Sequence, residues 1–153
     1  MRICADENVA PKLSKLIREM LLSRTNTLDT VDDHQARGVG DDIWVRKFGE
    51  AGGEAIIGSD ARMLTRPHEL IAIVESGLRL IVLPSQWVNA KIHLQIAFLA
   101  FWWPEIEEVL NTSKPGQCFK VPWSWGETKG AIKFLPIDVQ AAYKKVKKAD
   151  KKS

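Results

Sequence analysis

Three aspartates stand where predicted strands end or a predicted helix begins. Asp6 and Asp60 each follow a short apolar run, and Asp41 precedes the apolar positions of a helix. In an open parallel sheet, ligands bind outside the carboxyl ends of the strands, so these carboxylates are expected to share one crevice. Carboxylates gathered there repel one another unless a cation holds them, and hard oxygen ligands suit Mg²⁺ or Mn²⁺. The pattern predicts a metal-dependent site for cleaving phosphodiester bonds.

Further residues could take part in that chemistry. Arg62 lies two positions after Asp60 and could contact a scissile phosphate through two hydrogen bonds. Asp33 follows the second predicted strand and is a candidate for a fourth metal ligand, while its neighbour His34 is a weaker candidate for a base. Each acid also has an ordinary structural explanation, because Asp favours helix caps and turns. Spacing alone leaves both explanations open.

The composition is that of an ordinary globular domain. The chain has 153 residues, of which 45% are hydrophobic and 27% are charged. The last ten residues contain six lysines and one aspartate, a net charge of +5, so the rest of the chain carries −2 of the total of +3. The basic balance therefore comes from one end of the chain. Charge over the whole domain is not an argument for nucleic-acid binding.

The cysteines and the apolar stretches exclude several classes of protein. Cys4 and Cys118 are too few and too far apart for a zinc site built from paired cysteines. The longest apolar stretch, 92–103, is interrupted by His93 and Gln95 and is too short to span a bilayer. The opening residues do not resemble a signal peptide. We therefore expect a cytoplasmic protein with no membrane partner.

Strands alternate with helices along residues 1–84, in the predicted order β-α-β-α-β-α-β. Such alternation implies right-handed crossovers and a mainly parallel sheet. Asn8 is expected to cap the first helix, and Asp41 or Asp42 the second. The expected fold class is α/β, with a single domain covering residues 1–136.

The rest of the chain is predicted to contain a helical region, a hairpin and a tail. Residues 88–113 are expected to be helical, with Pro104 splitting the helix. Two β-prone runs within 117–136 are expected to pair as an antiparallel β-hairpin. The lysine-rich segment 137–153 is expected to be a frayed helix or disordered, and it could contact an RNA backbone without sequence preference.

Five of the six tryptophans divide by position. Trp44, Trp102 and Trp103 lie in predicted helices and are expected to pack in the core. Trp123 and Trp125 lie in a turn-rich segment and are better placed to form a contact surface, where aromatic rings can stack on unpaired bases.

The order of these motifs resembles the PIN-like nucleases. The segments that show the resemblance are Asp-Glu-Asn at 6–8, Asp-x-x-Trp at 41–44 and Ile-Ile-Gly-Ser-Asp-Ala-Arg at 56–62. The stretch 66–84 is also similar, and within these nucleases the chain is most similar to the small toxins grouped with VapC ribonucleases. The resemblance covers about residues 1–110.

The resemblance implies a Rossmann-like α/β/α sandwich with an acidic Mg²⁺ or Mn²⁺ site. Such proteins typically cleave RNA and are toxins of type II toxin–antitoxin modules, silenced by a protein antitoxin; they often form homodimers. Carried over by position, Asp6, Asp41 and Asp60 match the acidic residues of the family. Asp33 is a looser match, and Arg62 matches a basic position.

One departure from the family pattern keeps other functions open. Many PIN domains carry a further acid in the helical region, for which only Asp42 and Glu69 are candidates here. The number of metal ions and the level of activity therefore stay open. A catalytically silent module that binds an antitoxin or another protein is an alternative, and so is another Mg²⁺-dependent phosphatase or DNase on the same scaffold. A phospho-acceptor receiver domain ranks lower, because the segment 83–86 lacks the lysine which that chemistry needs after a late strand.

Overall fold

Within residues 1–34 and 40–152, which the computed structural model describes, six strands form one sheet. Their order is β2-β1-β3-β4-β5-β6; the first five are parallel, and β6 is antiparallel to β5. The strands are β1 (Arg2–Ala5), β2 (Thr27–Thr30), β3 (Ala55–Gly58), β4 (Arg79–Val82), β5 (Cys118–Lys120) and β6 (Lys133–Leu135).

Helices connect these strands. In chain order they are α1 (Pro11–Leu16), which continues as a π-helical turn (Ile17–Leu21), α2 (Asp41–Glu50), a 3₁₀ turn (Ala61–Leu64), α3 (Pro67–Glu75), α4 (Ser85–Val88), α5 (Ile92–Thr112) and α6 (Val139–Lys152). The predicted alternation of strands and helices over the first 84 residues is confirmed.

The sheet is covered on both faces, which explains why its central strands are apolar throughout. Neighbouring side chains of a strand point to opposite faces, so Ile57 of β3 packs in a cluster with α1 and α5, whereas Ile56 packs in a cluster with α2 and α3. Every residue of β3 is buried. The predicted three-layer α/β/α sandwich is therefore confirmed.

Pro104 does not split the long helix as the sequence predicted, because α5 continues through it from Ile92 to Thr112. A proline inside a helix removes one hydrogen bond to the carbonyl four residues earlier. That carbonyl belongs to Ala100, which is exposed, so water can solvate it. Trp102 and Trp103, both buried in the core as expected, hold the helix against the rest of the core just before Pro104, and the buried Ile106 does so just after it. Among the described residues, no helix combines the length and the apolar character needed to cross a membrane.

The predicted hairpin is confirmed, since β5 and β6 pair with Phe119 opposite Phe134. The lysine-rich end differs from the frayed or disordered tail that the sequence predicted, because it forms α6. This helix packs its apolar face, which includes Ala142, against Leu70 and Ile71 of α3. Its hydrophobic side chains recur at intervals of three and four residues and are Val139, Ala142, Tyr143 and Val146.

Candidate active site

The three aspartates singled out by the sequence line one pocket of about 210 Å³. Neighbouring parallel strands β1 and β3 pair Ala5 with Ile57, so the chain following each strand leaves the sheet at the same edge. Asp6 and Asp60 come from these two exits, and α2 brings Asp41 to them. The residues lining the pocket are Asp6, Glu7, Asn8, Asp41, Asp60, Arg62 and Met63.

Asp6 is the most buried of the three, with 6% of its surface exposed. Its Oδ1 atom accepts a hydrogen bond of 2.9 Å from the backbone N–H of Asn8. Its Oδ2 atom is buried without a hydrogen-bond partner, next to Gly58. Burial raises the pKa of the Asp6 carboxyl to about 6; the hydrogen bond from Asn8 opposes this rise and the charge of Asp41 adds to it. Asn8 does not cap the first helix as predicted, because Ala10 occupies the cap position.

Asp41 is the first residue of α2 rather than its cap, which is Gly40. The predicted capping role of Asp41 or Asp42 is therefore wrong. The Asp41 side chain lines the pocket, and its Oδ1 atom accepts a hydrogen bond of 2.8 Å from the indole Nε1 of the buried Trp44. The spacing Asp-x-x-Trp places both side chains on the same face of one helical turn. Trp44 thus fixes the orientation of the Asp41 carboxylate.

Asp60 is held by its neighbour Arg62. The backbone N–H and the Nε atom of Arg62 donate to Asp60 Oδ1 at 3.0 and 2.9 Å, and Nη2 donates to Oδ2 at 3.3 Å. Burial alone would raise the pKa of Asp60, but the hydrogen bonds from Arg62 and the charges of Arg62 and Arg66 lower it below its ordinary value. Asp60 is therefore ionised at neutral pH, as a metal ligand must be.

Arg66 and Glu69 extend the site beyond the predicted residues. The Nη1 atom of Arg66 lies 3.7 Å from Asp41 Oδ2, 3.8 Å from Asp60 Oδ2 and 3.1 Å from Glu69 Oε1. Glu69 Oε2 is buried without a hydrogen-bond partner. Burial raises the pKa of Glu69, as do the charges of Asp41 and Asp60, while Arg66 opposes the rise. Glu69 was one of two candidates for a further acid, whereas Arg66 was not predicted as a site residue. The Arg-x-x-Glu spacing at the start of α3 was the available signal.

Asp33, the predicted fourth ligand, does not line this pocket. Its Oδ2 atom accepts hydrogen bonds from Arg18 Nη2 at 2.6 Å and from the backbone N–H of Thr30 at 2.7 Å. The hydrogen bond from Thr30 is the main reason why the pKa of Asp33 is lowered. Asp33 lies in the turn after β2, an edge strand separated from β3 by β1. His34, the weaker candidate for a base, contacts Asp29 through Nε2 at 2.8 Å.

The residues of the pocket suit a divalent metal ion in their chemistry. Within residues 1–34 and 40–152, no three histidine, cysteine, aspartate or glutamate side chains are already grouped as ligands around one metal position. The acids instead contact Arg62, Arg66 and Trp44. Asp6 Oδ2, however, is a buried carboxylate oxygen without a partner, and such an atom is strongly stabilised by a cation. The donor set therefore fits Mg²⁺ or Mn²⁺.

Comparison with known proteins agrees with this geometry. Residues 1–85, more than half of the chain, match the family model described as "PIN like domain". The matched segment contains all of the acids that line the pocket. No curated protein and no solved structure matches the chain.

Proposed function

Because the protein belongs to the PIN-like domain family, whose members are generally nucleases, we propose that it is a Mg²⁺- or Mn²⁺-dependent endoribonuclease. We further propose that it is the toxin of a type II toxin–antitoxin pair, with a protein antitoxin as its partner and a homodimer as its own assembly. The observation that supports the nuclease most directly is the convergence of Asp6, Asp41 and Asp60 on one pocket, with the buried Asp6 Oδ2 unpartnered.

Each pocket residue has a role in this proposal. Asp6, Asp41 and Asp60 would hold the ion, which when bound supplies activation of a water molecule and neutralises charge on the phosphate. Trp44 keeps Asp41 turned toward the pocket through its indole N–H. The Arg62 side chain is largely exposed, so it can turn from Asp60 to a phosphate and bind it through two N–H groups.

RNA is the preferred substrate class because the motif order resembles the VapC-type ribonucleases and because aromatic side chains lie on the protein surface. Trp125 is exposed and contacts Phe98, Phe101 and Trp123, which together form a ring cluster. Such rings can stack on the bases of single-stranded RNA.

A catalytically silent module that binds an antitoxin is the second candidate. It is favoured by one observation: the carboxylates of Asp41 and Asp60 already contact the cationic side chains of Arg62 and Arg66. A domain that never binds metal would be stabilised by such contacts.

Two measurements test the proposal. Calorimetric titration with Mn²⁺ should show binding to the parent protein, and matched single-stranded RNA and DNA oligonucleotides should show cleavage of RNA only. Asp6→Asn and Asp60→Asn should abolish cleavage while near-ultraviolet circular dichroism stays unchanged, whereas Asp33→Asn, which changes an acid outside the pocket, should cleave like the parent. Absence of both Mn²⁺ binding and cleavage of either nucleic acid would support the silent module.

The toxin assignment needs a separate test in cells. Induced synthesis of the parent in bacteria should stop growth, and induced synthesis of Asp60→Asn should not. Growth arrest by both proteins would contradict a toxin that acts through its nuclease site.

A further inference from the structure

The guanidinium of Arg66 lies beside the acidic pocket, within ion-pair distance of two of the acids that line it. One nitrogen atom, Nη1, lies within 4 Å of carboxylate oxygens of Asp41, Asp60 and Glu69. These acids come from α2, from the segment after β3 and from α3. Surface ion pairs usually join one acid to one base and contribute little to stability. A single nitrogen shared by three acids occupies the kind of position that an inorganic cation would take.

Glu69 anchors Arg66 in this position. Arg66 precedes the first residue of α3 and Glu69 is the third, so their side chains lie on the same face of the first turn. Glu69 Oε1 is the nearest of the three oxygens, at a hydrogen-bond distance of 3.1 Å. Its second oxygen is buried and unpartnered, which makes Glu69 costly to keep ionised unless a positive charge stays close. The contact with Glu69 therefore holds a positive charge next to Asp41 and Asp60.

We propose that Arg66 is the built-in counter-ion of the acidic pocket and competes with the divalent cation for Asp41 and Asp60. In the metal-free protein, Arg66 neutralises part of the repulsion between these acids. A bound divalent ion would repel the guanidinium, so Arg66 would have to give up its contacts with Asp41 and Asp60. This inference rests on the proposed metal site, because it assigns to Arg66 the control of metal affinity at that site.

Removal of the Arg66 charge should raise the affinity for metal, whereas loss of a residue that only supports the fold should not. A positive charge near a bound cation opposes binding, so Arg66→Gln should bind Mn²⁺ roughly tenfold more tightly than the parent. The same variant should melt at a lower temperature in EDTA, because its acids lose their counter-ion, and its melting temperature should rise further on addition of Mn²⁺. Arg66→Lys keeps the charge and should remain closer to the parent than Arg66→Gln in both measurements.

Arg46 provides a matched control. Its side chain is 42% exposed, against 43% for Arg66, and its Nη1 atom lies 2.7 Å from Glu75, outside the pocket. Arg46→Gln should therefore leave the affinity for Mn²⁺ unchanged. Tryptophan fluorescence of each variant verifies that it is folded before titration.

The outcomes separate this inference from the proposed function. If the parent binds Mn²⁺ and Arg66→Gln binds it equally or more weakly, the role of Arg66 is overturned, but the metal site is not. Equal tightening in Arg66→Lys would also overturn it, because the charge would then be irrelevant. Binding by Arg66→Gln alone would support it strongly, and absence of binding in every variant would overturn both the inference and the metal site.

Discussion

The Oδ2 atom of Asp6 occupies the space left by the missing side chain of Gly58: a Cβ atom built on residue 58 would lie 2.0 Å from it. Real Cβ atoms do not tolerate such a contact, so Gly58→Ala must displace the Asp6 carboxylate or the strand beneath it. We expect a loss of stability of about 1–3 kcal/mol, as for other overpacked sites, together with weaker Mn²⁺ binding. Urea unfolding and calorimetric titration measure the two effects.

Gly126→Ala is the control for that substitution. The nearest atom to a Cβ at Gly126 is Ser124 Oγ at 3.8 Å, an ordinary contact. It should leave Mn²⁺ affinity unchanged, and so it isolates the effect of crowding Asp6. If Gly58→Ala bound Mn²⁺ as tightly as Gly126→Ala, Asp6 would not be a ligand in the position described.

The raised pKa of Asp6 predicts a specific dependence of stability on pH in the absence of metal. The pKa of an aspartate carboxyl is ordinarily 3.8, and that of Asp6 is about 6 in the folded protein, so the folded state binds more protons between these values. Stability contributed by Asp6 is therefore fully present below pH 3.8 and is lost as pH rises through about 6, a loss of about 3 kcal/mol. Asp6→Asn lacks this loss, so its stability relative to the parent should increase between pH 4 and pH 7. Urea unfolding in EDTA at several pH values measures it, and a difference independent of pH would contradict the predicted ionisation.

Trp44 should affect metal binding through its hydrogen bond to Asp41. Trp44→Phe keeps an aromatic ring in the core but removes the N–H that fixes the carboxylate. Loss of such an orienting partner typically weakens metal affinity by about 10–100-fold. Trp102→Phe is the matched control, because the Trp102 indole donates to the Ser124 carbonyl at 2.9 Å, outside the pocket. Mn²⁺ titration should separate the variants, and equal affinities would mean that Asp41 needs no orienting partner.

Trp125 should contribute to RNA binding if the proposed substrate class is right. Its side chain is 43% exposed within the ring cluster, and stacking on an unpaired base typically contributes about 1–3 kcal/mol. In the Asp60→Asn background, which prevents cleavage, Trp125→Ala should weaken binding of a fluorescent single-stranded RNA accordingly. Phe134→Ala removes an even more exposed ring on β6 and serves as the control. Equal anisotropy titration curves for the two variants would exclude the cluster as the RNA contact.

The sequence predicted the positions of Asp6 and Asp60 well because strand ends depend on local apolar patterns. A parallel sheet then brings the ends of neighbouring strands to one edge without further information. Asp33 also follows a strand at this edge, but it does not line the pocket, because β1 separates β2 from β3 and because hydrogen bonds hold its side chain at Thr30 and Arg18. Those hydrogen bonds depend on the geometry of one turn, which the sequence pattern does not give.

Contacts made by long side chains between separate elements could not be predicted in this way. The position of Arg66 depends on acids from three parts of the chain, and only its spacing from Glu69 is visible locally. The continuity of α5 through Pro104 likewise depends on tertiary packing and on solvent access to one carbonyl.

The packing of α6 on α3 makes the lysine-rich end a support for residues far from it in sequence. Helix α3 begins next to Arg66 and contains Glu69, and its outer residues Leu70 and Ile71 are covered by α6. A shortened chain ending before Val139 would expose that surface to water. It would also loosen α3, which positions Arg66 and Glu69. Damage from such a deletion would then be detected first at the acidic pocket, although no residue of the pocket had been altered.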